Sequence, residues 1–383
     1  MSQKKIHDAG RQSGADGGIN LALSGGGFRA TLFHLGSLWR LNELGLIERL
    51  RNIASVSGGS ITAAYLGLQW TTLDFDNGIA KNFEEEIVAP LRRFCSTTVD
   101  VWAIAKILPR PWSWRRAGNT LEAAYRRKLY GKATLQDLPK LPRFVIMSTN
   151  ILSGMTFRFS RSSAGGVPTG FMRNPSFHLS EAVAASSAFP PVLSPFVLRI
   201  DPTQFEVDEF FDEDAWPMGD AVYLTDAGVI DNLGLEDLYP RPECLLVSDA
   251  GAPAKFEPDL LPLWISLSKR TIEIAIYQAI PIRQRLVKAS FLKRKGAYWG
   301  INSDIRVYKT SNCLNCPANH TKPLAEMRTR LNRFSESEQC TLINWGYAIC
   351  DAAVREIVHT DDVTGRPEWP YPNYSLNQSL GSY

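Results

Sequence analysis

Two glycine-rich turns, each set where an apolar run gives way to a helical period, limit the possible folds of this chain more than any other feature. The first run, Ile19–Leu23, ends in Ser24-Gly25-Gly26-Gly27-Phe28-Arg29. Behind it Leu32, Leu35, Leu38/Trp39 and Leu41 recur every three or four residues until Gly45, which is the spacing of one helix face. About thirty residues later the pattern repeats. Residues 53–56 form a second apolar run, broken at Ser57-Gly58-Gly59, and helical text resumes over 61–68. Strand, helix, strand and helix in such close succession predict a parallel sheet with helices on its faces, because parallel neighbours need a crossover between them. Ligands of such sheets bind at the carboxyl ends of the strands, and both turns lie there.

The chain has 383 residues, more than one average domain, yet no repeat or linker divides it and a single core is expected. The expected layout is a polar, mobile tail over 1–17, a folded domain over 18–360 and an irregular, Pro- and Tyr-rich surface tail over 361–383. Further strands are expected at 144–147, 156–159, 197–200, 222–224 and 244–247. Residues 80–140 read as mostly helical and 263–292 as a helix with a break at Pro281. Residues 180–188 read as a helix capped by Ser180 and stopped by Pro190-Pro191.

Lys and Arg number 42 against 39 Asp and Glu, a net charge of +3. Opposite signs nearly cancel, which argues against a nucleic-acid polymer as partner. No apolar stretch approaches the ~18 residues that span a bilayer, and no apolar block follows Lys4-Lys5 as a secretory leader requires. A cytoplasmic protein is therefore expected. Six cysteines are too sparse for a disulfide framework. Cys313-Leu-Asn-Cys316 with His320 offers three zinc ligands, but Cys340 and Cys350 follow at no common zinc spacing, so the reading is loop thiols and no metal.

Ser55-Val56-Ser57-Gly58-Gly59 resembles G-x-S-x-G, with Ser55 in place of the first glycine. In that turn the serine holds a strained corner and its hydroxyl projects from the sheet. The three glycines of the first turn leave backbone N–H groups unobstructed where the helix dipole is positive. Such donors suit a phosphate or the oxyanion of a tetrahedral intermediate. Gly25-x-Gly27-x-x-Ala30 also fits the loose dinucleotide fingerprint, but the next strand ends in Val56-Ser57-Gly58, without the carboxylate that fingerprint needs. No Gly-Lys-Ser/Thr follows either, which removes a nucleotide phosphate loop.

A serine nucleophile needs a base. Of His7, His34, His178, His320 and His359, the last two would fill the Ser, acid, His order of an α/β-hydrolase. Asp226, at the end of an apolar run and before Ala227-Gly228, is a better candidate. It can take the serine proton directly if the site is dry enough to raise its proton affinity. Asp249-Ala250-Gly251 repeats the pattern one strand later.

Gly25-Gly26-Gly27-Phe28-Arg29, Ser57 in its elbow and Asp226-Ala227-Gly228 are similar, in order and spacing, to the G-G-G-x-R, G-x-S-x-G and D-G-[GA] blocks of patatin-like phospholipases. The segment 181–190 and Asp231-Asn232-Leu233-Gly234 resemble that family too, so the likeness runs from about Ile19 to Asp249 and weakly through Tyr298-Trp299-Gly300. Ser55 and Ala227 depart from the pattern, and both keep the side chain small. The resemblance implies a three-layer α/β fold with a central, mostly parallel sheet and helices on both faces, and an acyl hydrolase domain over 18–360. It implies a Ser57–Asp226 dyad without histidine, metal or cofactor. Oxyanion donors would come from Gly25, Gly26, Gly27 and Gly58, with Asn232 in support and Arg29 bracing the loop or lying near an anionic headgroup. The implied substrate is a membrane phospholipid or lysophospholipid, with peripheral membrane contact during catalysis. A soluble esterase or thioesterase with a Ser-His-Asp triad stays open, as does a lipid- or nucleotide-binding module without catalysis. So does a small-molecule activator, as in bacterial effectors of the family that a second messenger switches on.

Three further segments carry two readings each. The acidic stretch Glu206, Asp208, Glu209, Asp212, Glu213 and Asp214 lacks the glycine-centred spacing of a calcium loop and reads as a solvated hairpin tip. Residues 102–116 mix Trp102, Trp112 and Trp114 with Arg115-Arg116, which suits a membrane-facing or pocket-covering segment and a buried helix equally. The cationic run over 283–295 reads as a solvated helix face, or as a contact for a phospholipid surface or a nucleotide-like activator.

Overall fold

The computed structural model describes residues 18–99, 117–206, 219–241, 243–251, 256–310, 313–355 and 366–377. The expected tail over 1–17, the segment 102–116, the acidic residues 208–214, His359 and the residues beyond 377 lie outside the described residues.

Among the described residues, one eleven-stranded sheet forms the centre. Its strands are β1 (Ile19–Leu23), β2 (Leu50–Ser55), β3 (Arg143–Asn150), β4 (Met155–Phe159), β5 (Ser163–Gly166) and β6 (Gly170–Arg173). They continue with β7 (Phe196–Arg199), β8 (Phe205–Glu206), β9 (Ala221–Asp226), β10 (Cys244–Asp249) and β11 (Gly296–Gly300). The order is β8-β6-β5-β4-β3-β2-β1-β10-β11, with β9 paired to β3 and β7 paired to β9. From β3 to β11 all neighbours run parallel, and the remaining pairings are antiparallel. The helices that bear on the site are α1 (Gly27–Glu43), α2 (Gly58–Leu68), α3 (Ala117–Tyr125), α4 (Leu179–Ser187), α5 (Gly228–Asp231), α6 (Trp264–Ser290), α7 (Ala318–Glu326) and α8 (Glu336–Arg355).

Side-chain alternation explains the layers. Leu21, Leu23, Ile53, Phe144, Ile146 and Leu246 turn to one face, where α1, α2 and α8 contribute Phe33, Leu66 and Ile343. Ala22, Ala54, Val145, Met147, Leu245 and Val247 turn to the other, against Leu233, Leu235, Leu238 and Val287. A period of two with both faces covered is the mark of a sheet buried between layers. A buried ion pair, Arg40 to Asp351 at 2.7 Å, ties α1 to α8.

Local chemistry accounts for the differences from the sequence reading. α4 is capped at His178, whose N–H donates to Glu181 (2.8 Å), and Ser180 lies inside the first turn, donating to Glu122 (2.8 Å). α6 passes through Pro281, which forfeits one helical hydrogen bond and leaves the rest of the ladder in place. β5 escapes an alternation test because Gly165 and Gly166 press against the backbone of Gly170 and Thr156, where no Cβ fits. Residues 366–377 are irregular but docked: Leu376 is buried, and Asn344 of α8 holds the carbonyls of Tyr371 (2.9 Å) and Tyr374 (3.0 Å).

Candidate active site

β3 receives two strand ends along one edge. β2 runs parallel to it and stops with Ser55 opposite Ile146, while β9 runs antiparallel and stops with Asp226 opposite Ser148. Two residues of strand, about 7 Å, separate these registers, so the chain leaving β2 and the chain leaving β9 meet at one spot. Ser57 stands there at φ +50° and ψ −117°, backbone that a residue with a Cβ adopts only under strain. Its N–H donates to Ser186 Oγ of α4 (2.9 Å). Ser186 Oγ lies 2.9 Å from Ser60 Oγ, which donates to Ser55 Oγ (3.1 Å), which donates to the Val145 carbonyl (3.3 Å). This relay shows why serine fits at 55, and it gives Ser186 a positioning task. The sequence marked the 181–190 block but no residue in it, since the only local signal is a serine pair in an alanine-rich helix.

The Ser57 side chain lies close enough to the Asp226 carboxylate to favour its charged form. Asp226 Oδ1 accepts from the Gly228 N–H (2.7 Å). Burial pushes the pKa of Asp226 up to about 6, and the nearby Ser57 side chain and the Gly228 N–H work against that rise. The group is thus a carboxylate at neutral pH and a stronger base than an exposed aspartate. Its rival, Asp249, accepts from Tyr298 Oη (2.7 Å), Gln284 Nε2 (2.8 Å) and the Gly251 N–H (2.8 Å). Of the two Asp-Ala-Gly endings, the geometry joins Ser57 to the first. Ala227 takes ordinary helical backbone, φ −64° and ψ −23°, so that departure from glycine needs no adjustment.

Two of the histidines, His34 and His320, do other work. His34 is buried, with Nδ1 2.8 Å from Ser248 Oγ and Nε2 2.9 Å from the Ser24 carbonyl. A carbonyl only accepts, so Nε2 carries the proton; burial brings the ring's pKa down to about 4 and keeps it neutral. His320 Nδ1 is engaged by the Leu376 carbonyl (2.6 Å).

The two glycine turns lie backbone to backbone. Gly27 has φ +58°, and a Cβ on it would strike the Thr329 carbonyl; a Cβ on Gly58 would strike the Gly27 carbonyl. Among the described residues, the N–H groups of Gly26, Gly27 and Gly58 meet no backbone acceptor. Gly25 differs from the expectation that it is an oxyanion donor. Its N–H donates to the Asn232 carbonyl (3.0 Å), and its lack of a side chain makes room for Asn232 Oδ1. Asn232 therefore wedges between the first turn and the aspartate turn. Arg29 is a brace, not a headgroup contact. It is fully buried, donating through Nη1 to Ala325 (2.6 Å) and Met327 (2.9 Å) and through Nη2 to Ala250 (2.7 Å). Burial lowers its pKa to about 10, so it stays charged. Among the described residues, no group of three or more His, Cys, Asp or Glu is placed to hold a metal.

A family model, patatin-like phospholipase, matches residues 21–239, a span containing both turns, Ser57 and Asp226. This chain belongs to the patatin-like phospholipase family. No curated protein matches it. Among solved structures, human GIVD cytosolic phospholipase A2 is similar at 11% identity and a TM-score of 0.51, over 91% of this chain and 64% of that one. The same human enzyme in complex with methyl gamma-linolenyl fluorophosphonate is similar at 14% identity and a TM-score of 0.52, over 91% of this chain and 59% of that one. Identities this low speak for a shared fold, and the chain spans less than two thirds of the length of these relatives. The fold is the one expected of a patatin-like protein, a central sheet that carries the candidate site at its strand ends, with helices around it. No helix among the described residues is long and apolar enough to cross a membrane.

Proposed function

We propose that this patatin-like protein is a serine acyl hydrolase that releases fatty acids from membrane phospholipids or lysophospholipids, with Ser57 as nucleophile and Asp226 as its base. The observation that carries the reading is that a serine at a strained elbow meets, at the ends of two strands paired to one edge of β3, a buried carboxylate of raised pKa. Family membership supplies the lipid ester as substrate class.

In the proposed reaction Ser57 Oγ attacks the acyl carbonyl as Asp226 takes its proton. The N–H groups of Gly26, Gly27 and Gly58 receive the oxyanion, each such donor being worth roughly 10²–10³ in turnover. The intermediate collapses, the alcohol leaves with the proton from Asp226, and the acyl group stays on Ser57. Water then attacks the acyl-enzyme, Asp226 takes a proton from it, and the fatty acid departs as Ser57 is reprotonated.

The test is a lipidomic profile of membranes exposed to the wild type and to Ser57→Ala and Asp226→Ala. Both variants should abolish fatty-acid release with unchanged circular dichroism. Retained release by Asp226→Ala would move the base role to Asp249 or a histidine. Failure of a fluorophosphonate to modify Ser57 would favour a binding module.

A further inference from the structure

Surface helices turn their apolar stripe inward, but α6 turns much of its own outward. Trp264, Leu267, Ile274, Ile282 and Leu286 follow a helical period and are all exposed, Trp264 by 72% and Ile282 by 58%. So long an apolar stripe marks a contact surface more often than bare solvent-facing structure. The charge is as lopsided as the hydropathy. Residues 264–295 hold eight Lys and Arg and one carboxylate, Glu273, in a chain of net charge +3. Glu273 is spent on Lys269 (3.2 Å) and Arg270 (3.8 Å). Among the described residues, Arg285, Lys293 and Lys295 form no ion pair, and Lys288 rests 4.8 Å from the Tyr298 ring centre.

This helix lies at the end of the sheet that bears Ser57. Arg283 Nη2 donates to the Ile230 carbonyl (2.7 Å), just past Asp226, and Gln284 Nε2 donates to Asp249 (2.8 Å) at the carboxyl end of β10. On the same carboxyl edge, Ile151 and Leu152 of the turn after β3 and Met155 at the start of β4 are exposed.

We propose that the outward face of α6 is a docking surface for an anionic phospholipid bilayer, setting the carboxyl edge of the sheet, and with it Ser57, against the lipid. Apolar side chains including a tryptophan, flanked by cations that have no carboxylate to answer, are the composition of a helix lying in a membrane interface. A second copy of this chain would bring like charges face to face across a symmetric contact. The inference rests on the hydrolase reading for its purpose, and its test is independent of turnover.

The test uses full-length Ser57→Ala protein, which leaves lipid intact, and co-sedimentation with phosphatidylcholine vesicles with and without phosphatidylglycerol. The parent should bind the anionic vesicles more tightly. Adding Leu267→Ser, Ile274→Ser and Ile282→Ser together should cut partitioning about tenfold or more on both vesicles. Adding Arg285→Gln, Lys293→Gln and Lys295→Gln together should remove only the preference for phosphatidylglycerol. In proteins that keep Ser57, neither set should change hydrolysis of a soluble short-chain ester, which also reports that they fold. Equal partitioning by the parent and the apolar variant would overturn the proposal. So would a parent dimer that the apolar variant dissociates while vesicle binding persists. Should the intact protein hydrolyse no ester while vesicle binding follows the pattern above, the hydrolase reading fails and the docking surface stands.

Discussion

Ser57 and Asp226 each hold a conformation or an environment that folding alone disfavours. The backbone at Ser57 costs about 1–3 kcal/mol, which only glycine escapes. Ser57→Gly should therefore be more stable than Ser57→Ala, by about 1 kcal/mol in denaturant unfolding, while both are inactive. Asp226, with a folded pKa of about 6 against an ordinary 3.8, binds its proton more tightly folded than unfolded. Its contribution to stability is thus greatest below pH 4 and falls as pH rises towards 6, and Asp226→Asn should remove that slope. On the proposed reading activity runs the opposite way, since Asp226 must be ionised to act as base: kcat/KM should fall below about pH 6. Both residues could be nominated from the sequence because a nucleophile elbow and an Asp-Ala-Gly ending are local patterns. The task of Gly25 could not be read there, because its N–H is taken by the Asn232 carbonyl, 207 positions away, and backbone contacts leave no side-chain signature.

At the scale of elements, the candidate site depends on how closely α1 and α2 approach through their first turns. Gly58→Ala would push its new methyl into the Gly27 carbonyl and part the two donor turns. Turnover should drop by roughly 10²–10³, with a smaller change in KM, measured on a soluble ester. Arg29→Gln removes charge-assisted bonds to the carbonyls of Ala325, Met327 and Ala250 and should destabilise the protein by about 2 kcal/mol or more. The strands and helices of the first seventy residues were readable because hydrophobic period and turn glycines agree there. The approach of β9 was not: it pairs antiparallel with the far end of β3, 77 residues away, and nothing local encodes that direction. Yet this pairing is what brings Asp226 to Ser57.

Across the whole molecule, the sheet separates two kinds of work. Its parallel centre between α1, α2 and α8 on one side and the 233–238 segment on the other is a packed core, and its carboxyl edge holds the strained and titrating groups. His34 links the two, neutral in the core with both nitrogens bonded. With its pKa lowered to about 4 from 6.5, its contribution is complete above pH 6.5 and is lost as pH falls towards 4. His34→Gln should flatten that acid limb in thermal melts. The three-layer class was legible from the strand–helix alternation, whereas the outward apolar stripe of α6 was hidden, since a period reports that a helix has two faces and not which one is covered.

The most direct measurement is the rate at which a fluorophosphonate modifies Ser57, followed by peptide mass spectrometry across pH in the wild type and in Asp226→Asn. The account predicts a single adduct on Ser57, forming faster as pH rises through about 6, and a loss of about 10³-fold or more in the variant. An adduct on another serine, or equal rates in the two proteins, would contradict it.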